Sequence, residues 1–141
     1  MRPHLMTALL LGILTSSATI SLAQTSAPQI NYKQLREHPF EVHGLKIVIR
    51  GFNAGNFSMN LTNTTTSFIA FAAEDMALVD KTGSQLFLNH AYFSQPVPIT
   101  LPRLRIAPGA TVHLDGLLND RATFPVKVYF FDTLYAIVTA E

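Results

Sequence analysis

The sequence predicts an all-β protein, an antiparallel sandwich of seven or eight short strands. Three observations predict it. Apolar and polar residues alternate almost throughout from Leu45 onward, turn residues punctuate the chain at short intervals, and no apolar i, i+3, i+4, i+7 pattern lasts beyond a turn. The nearest helical candidate, Asn31 to His38, is ended by Pro39.

The first segment reads as an address. Arg2 supplies a positive start, Leu5 to Leu14 is almost wholly apolar, and Ser21-Leu22-Ala23 offers the small residues of a cleavage site. A membrane span needs about 20 apolar residues, and Thr15, Ser16, Ser17, Thr19 and Ser21 break the run earlier. The expectation is therefore a signal peptide over 1–23, a polar leader over 24–40 and a β-sandwich domain over 41–141. Removing Arg2 leaves nine Lys plus Arg against nine Asp plus Glu. That balance excludes a nucleic-acid binder, which needs a basic surplus. The chain has no cysteine, which excludes disulfides, thiol catalysis and thiolate-ligated metals. A periplasmic or secreted protein with no transmembrane segment in its mature chain is expected.

The strands follow in order. Leu45, Ile47 and Ile49 share one face, and Gly51 to Gly55 is turn-rich. Phe57, Met59 and Leu61 then alternate with Ser58, Asn60 and Thr62, the cleanest half-buried strand in the chain. Ser67 to Ala73 puts Ile69 and Phe71 inward, and Met76 to Val79 runs into Asp80-Lys81-Thr82-Gly83. This tetrapeptide suits a hairpin closed by a left-handed glycine, with Gln85 to Leu88 returning. Pro108-Gly109 turns the chain before Thr111 to Leu117. Val126 to Phe131 is apolar on nearly both faces, as a central strand is, and Leu134 to Ala140 closes the chain. Asn-x-Ser/Thr sequons at Asn56, Asn60 and Asn63 read as strand-end chemistry rather than glycan sites.

Three pieces carry a resemblance: Leu61-Thr62-Asn63-Thr64 ending a strand, Ala77-Leu78-Val79-Asp80-Lys81-Thr82-Gly83, and Ile106-Ala107-Pro108-Gly109-Ala110-Thr111-Val112. With Phe124 to Phe130 they resemble the telokin-like, immunoglobulin-like secreted domains of bacteria, over roughly residues 57–131. The resemblance implies an immunoglobulin-like sandwich acting as a surface or periplasmic module, and implies no catalytic residue. The sequence departs from that pattern at Asn89 to Arg105, which is longer and richer in proline.

Chemistry-bearing residues are few. His113 and Asp115 lie two apart on a strand and project from one face, with Met59 or Met76 as possible neighbours. This is the basis of an alternative reading as a periplasmic copper- or zinc-binding protein, similar to small secreted copper chaperones, although His113-Leu114-Asp115 lacks their "H-x-M" methionine. Glu74-Asp75 is an adjacent carboxylate pair whose members point apart on extended chain, so it reads as a solvated loop. No Gly-x-Ser-x-Gly elbow and no phosphate-binding glycine loop occur, so no enzyme and no cofactor are expected.

Asn89 to Arg105 is a 17-residue stretch against a usual connection of about 4–6. Pro96, Pro98 and Pro102 forbid regular central pairing. Tyr92, Phe93, Arg103 and Arg105 are of the types enriched at protein interfaces, which makes this a candidate recognition loop. A second candidate surface is the outer face of the last two strands, Lys127, Tyr129 and Phe131 with Tyr135 and Ile137, as a homodimer contact. The reading taken forward is an exported, non-enzymatic binding module.

Overall fold

The computed structural model describes residues 27–93 and 103–141. Over these residues the chain is built mostly of β-strands, so the all-β expectation holds. Twelve strands form among the described residues: β1 (Gln29–Asn31), β2 (Phe40–Val42), β3 (Leu45–Phe52), β4 (Asn56–Asn63), β5 (Ile69–Phe71), β6 (Met76–Val79), β7 (Gln85–Leu86), β8 (Leu88–Phe93), β9 (Leu104–Ile106), β10 (Thr111–Leu118), β11 (Val126–Phe130) and β12 (Thr133–Thr139). One five-stranded sheet has the order β1-β12-β11-β6-β7, a second β2-β3-β4-β10-β8, and β5 and β9 form a separate ribbon.

Alternation builds the core. In β4, Phe57, Met59, Leu61 and Asn63 are buried and every second residue between them is not. Leu45, Ile47 and Ile49 of β3 and Leu114 of β10 join that face, and Leu78, Val126, Val128, Phe130 and Val138 come from the other sheet. The two faces meet in one core. Phe40 at the edge of the second sheet stacks on Phe130 of the first, with ring centroids 6.2 Å apart. β11 lies in the middle of its sheet, as its two-sided apolar character implies.

Where strict alternation fails, a bulge explains it. The β3–β4 register shifts between Ile49 and Gly51, so Ile49 and Phe52, three residues apart, both point inward. A second shift between Val128 and Tyr129 leaves Tyr135 of β12 outside the ladder. Tyr135 is consequently buried, not on the outer face the sequence assigns to it. Its hydroxyl donates to the carbonyl of His38 at 2.5 Å. Burial pushes its pKa up to about 12.

Three sequence expectations need correction. The span 24–40 is not a leader outside the fold from Gln29 on. β1 pairs in parallel with β12, and a 3-10 turn over Tyr32–Glu37 buries Leu35. Such a three-residue strand is too short to show a period, and one buried residue in six is too few to show a helical face. The return strand stops at Leu86, because the chain crosses between the sheets at Phe87 and starts β8 at Leu88. The Asn89 to Arg105 stretch is not one connection either: Asn89–Phe93 belong to β8, and β9 begins at Leu104. Prolines 96, 98 and 102, like the signal segment 1–23, lie outside the described residues.

The motif pieces have one physical job, closing strands. Gly83 (φ +84°) and Gly109 (φ +73°) take the left-handed backbone that glycine accepts without a Cβ clash. Asp80 Oδ1 accepts from Thr82 N at 2.9 Å, Thr82 Oγ1 at 2.6 Å and Ser84 N at 3.2 Å. The Thr82 hydroxyl bond, opposed by desolvation and aided by backbone N–H groups, holds the Asp80 carboxyl below its usual value. Asn63 is wholly buried, and its amide donates to the carbonyls of Ser67 (2.7 Å) and Ile106 (3.0 Å). Its Oδ1 accepts from Thr65 N (2.9 Å) and Thr65 Oγ1 (2.8 Å), so both donors and both lone pairs are used. Its backbone exchanges bonds with the Pro108-Gly109 turn, accepting from Gly109 N and donating to Ala110 O.

Candidate functional site

The β5–β9 ribbon pairs Ile69 with Ile106, Ala70 with Arg105 and Phe71 with Leu104. Its inner side is anchored: Phe71 and Ile106 are buried, and Ile69 and Leu104 pack against the core. Alternation then fixes the outer side. Arg103 and Arg105 flank Leu104 and are exposed. Phe68, one residue before β5, is 54% exposed. The Arg105 guanidinium carbon lies over its ring, 4.2 Å from the centroid. Arg103 Nη2 meets Glu74 Oε1 at 3.6 Å, with both side chains largely in solvent.

Glu74 and Asp75 sit on a 3-10 turn over Ala73–Asp75 and do separate things. Asp75 Oδ2 accepts from the Ala72 N–H at 2.8 Å, which pins the turn and leaves Glu74 to reach Arg103. In the sequence reading Phe68 goes unmentioned and Glu74 is taken for a solvated loop residue without a partner. The signal for Phe68 was present: with Ile69 and Phe71 inward, neighbouring positions 68 and 70 face outward, and a phenylalanine there is exposed.

Of the four residues read as one recognition loop, the structure puts Arg105 on the ribbon and Arg103 directly before its strand β9. Tyr92 and Phe93 are on β8, at the edge of the second sheet, in register with Asp115 and Leu114. Their side chains lie outside the described residues. The four belong to two different sheets.

His113 and Asp115 do share the outer face of the second sheet, but each has its own partner. His113 Nδ1 and Asn60 Oδ1 are 2.5 Å apart. The amide oxygen only accepts, so His113 Nδ1 is the donor of this bond. Asp115 Oδ1 accepts from Arg50 Nη2 at 2.9 Å. Thr62 and Thr111 bridge hydroxyl to hydroxyl at 2.8 Å on the same face. Neither methionine can join His113. Met59 pairs with Leu114 and is buried on the opposite face, and Met76 is buried in the other sheet. Among the described residues, no three His, Cys, Asp or Glu side chains come together as a metal would require.

The outer face of β11 and β12 carries exposed Lys127 with partly buried Tyr129 and Ile137, in register with Val79 and Ala77 of β6. Phe131 does not extend that patch. It sits in the two-residue loop between β11 and β12 at φ +54°, edge-on to His43 (4.6 Å between centroids) and to Phe71 (6.0 Å). His43 is itself at φ +50° in the β2–β3 hairpin, beside Gly44 at φ +75°. No helix among the described residues is long and apolar enough to cross a membrane.

No family model matches this chain, and no curated protein matches it. Among solved structures, the crystal structure of the yjhA protein from Bacillus subtilis is similar over 73% of this chain and 79% of that one, at 11% identity and a TM-score of 0.43.

Proposed function

We propose that the protein is an exported, non-enzymatic binding module of a bacterial envelope or exterior, with the β5–β9 ribbon as its contact surface. The observation that carries this reading is Phe68, 54% exposed, with the Arg105 guanidinium 4.2 Å above its ring. Aromatic and arginine side chains are enriched at protein interfaces, and an aromatic ring held half in water gains most from a partner that covers it. The inner side of the ribbon is anchored in the core, and a surface so held has a lower ordering cost on binding.

The strand order supports an immunoglobulin-like sandwich for the scaffold. In that architecture one sheet runs A-B-E-D and the other C-F-G. Here β3-β4-β10-β8 and β6-β11-β12 follow those orders, with β7 flanking β6. The turn motifs shared with telokin-like domains point the same way, as does the signal-like segment 1–23 for export.

The test is cross-linking of the full chain in its native envelope. Phe68→Ala and Arg105→Ala should each reduce the cross-linked species while the melting temperature stays unchanged. Cross-links undiminished by either substitution overturn the assignment of the ribbon. Stoichiometric copper or zinc, lost on His113→Ala, would put the metal-binding alternative in its place.

A further inference from the structure

We infer that the ribbon receives an extended acidic segment of a partner protein, one with carboxylates on alternate residues. This names the partner chemistry of the contact surface proposed above and rests on that reading. Arg103 and Arg105 are both exposed, with Leu104 between them turned to the core. Two residues of extended chain advance about 6.6 Å, so the two arginines leave the backbone at the spacing of alternate side chains on another strand. A carboxylate at each such position meets one arginine.

The two arginines are prepared differently. Arg105 lies with its guanidinium carbon 4.2 Å from the Phe68 ring centroid, and its N–H donors have no carboxylate partner among the described residues. The ring contact also limits the rotamers of Arg105 before a partner arrives. Arg103 already has one, Glu74, at 3.6 Å with both side chains exposed. A pair so long and so wet is weak. Glu74 therefore stands where one carboxylate of the incoming strand would sit, and competes with it. A polyanionic nucleic acid or lipid surface fits less well: two arginines are a small patch, and the chain from Gln24 onward balances its acidic and basic residues.

The experiment is fluorescence anisotropy of the full chain with a labelled peptide of alternating Glu and Thr. A Gln-for-Glu peptide, a peptide with the same glutamates clustered, and phosphatidylglycerol vesicles are the comparisons. The alternating peptide should bind most tightly, and more weakly as salt rises. Arg103→Gln and Arg105→Gln should each weaken it by about 2- to 5-fold, the scale of one exposed ion pair. Glu74→Gln should strengthen it by about the same factor. Equal binding of the Gln or clustered peptide, preference for the vesicles, or an affinity unmoved by Glu74→Gln overturns the inference. Envelope cross-links lost on Phe68→Ala without any peptide selectivity would sink the acidic strand and keep the binding surface. Peptide selectivity without cross-links would keep the acidic-strand site and remove the envelope as the place where its partner is met.

Discussion

Asn63 and Phe68 are five residues apart and behave as opposites. Asn63 is wholly buried, and its side chain gives two hydrogen bonds and receives two. Phe68 is 54% exposed and touches a guanidinium that has donors to spare. The same short stretch makes both, since the Ser67 carbonyl beside Phe68 is one of the acceptors of Asn63. A polar group sealed from water must have every partner supplied by the protein, and that closes it to any further role. The group left in water keeps unused capacity. Stability and recognition are thus written into neighbouring residues with opposite solvent exposure.

The sharpest way to break this comparison is Asn63→Ala. It removes four hydrogen bonds and leaves the carbonyl of Ile106 buried without its donor. The expected loss is about 3 kcal/mol, from the cost of unsatisfied buried groups. On a domain of this size that is a fall of roughly 10 °C or more in melting temperature. A loss under about 1 kcal/mol in urea titration would mean that water replaces the amide, and the sealed hub would not exist.

Asp80 lies between the two extremes. It is largely buried but sits in a surface hairpin, where Thr82 and Ser84 hold its carboxylate. Its folded pKa is lowered from the ordinary 3.8, with the Thr82 hydroxyl as the main cause. The stability it carries is therefore complete above the unfolded value and fades as pH falls through the folded one. Asp80→Asn should flatten the acid limb of the urea midpoint between about pH 5 and pH 2. An acid limb of unchanged slope would assign it to other carboxylates.

How much of this was legible follows from the range of the forces involved. Period two in Phe57, Met59 and Leu61 is local, and β4 was read from it. So was the left-handed turn at Gly83, which needs only its own neighbours. β1 was not legible: its parallel pairing with β12 is a contact across more than a hundred residues. The inward turn of Tyr135 depends on a bulge in the partner ladder at Val128, which no pattern in β12 itself announces. Half of the candidate site was visible in Arg103 and Arg105, whose residue types invite an interface. Tyr92 and Phe93, which the sequence groups with them, lie on β8, a strand of a different sheet from β9. Phe68 could have been found by extending the alternation one residue upstream of Ile69.

The smallest effect sharpens the comparison most. Phe68→Ala and Arg105→Ala each change an exposed side chain, and substitutions of that kind stay within about 0.5 kcal/mol of the parent stability. A double-mutant cycle between them should return a coupling of about 0.5 kcal/mol, the scale of an exposed cation–π contact. This near-silence in stability is what separates a surface kept for a partner from a cover on the core. If Phe68→Ala instead cost more than about 2 kcal/mol, the ring would be acting as core, and any lost binding would only report a damaged fold. Stability unmoved together with binding lost is the one combination that a structural role for Phe68 cannot produce.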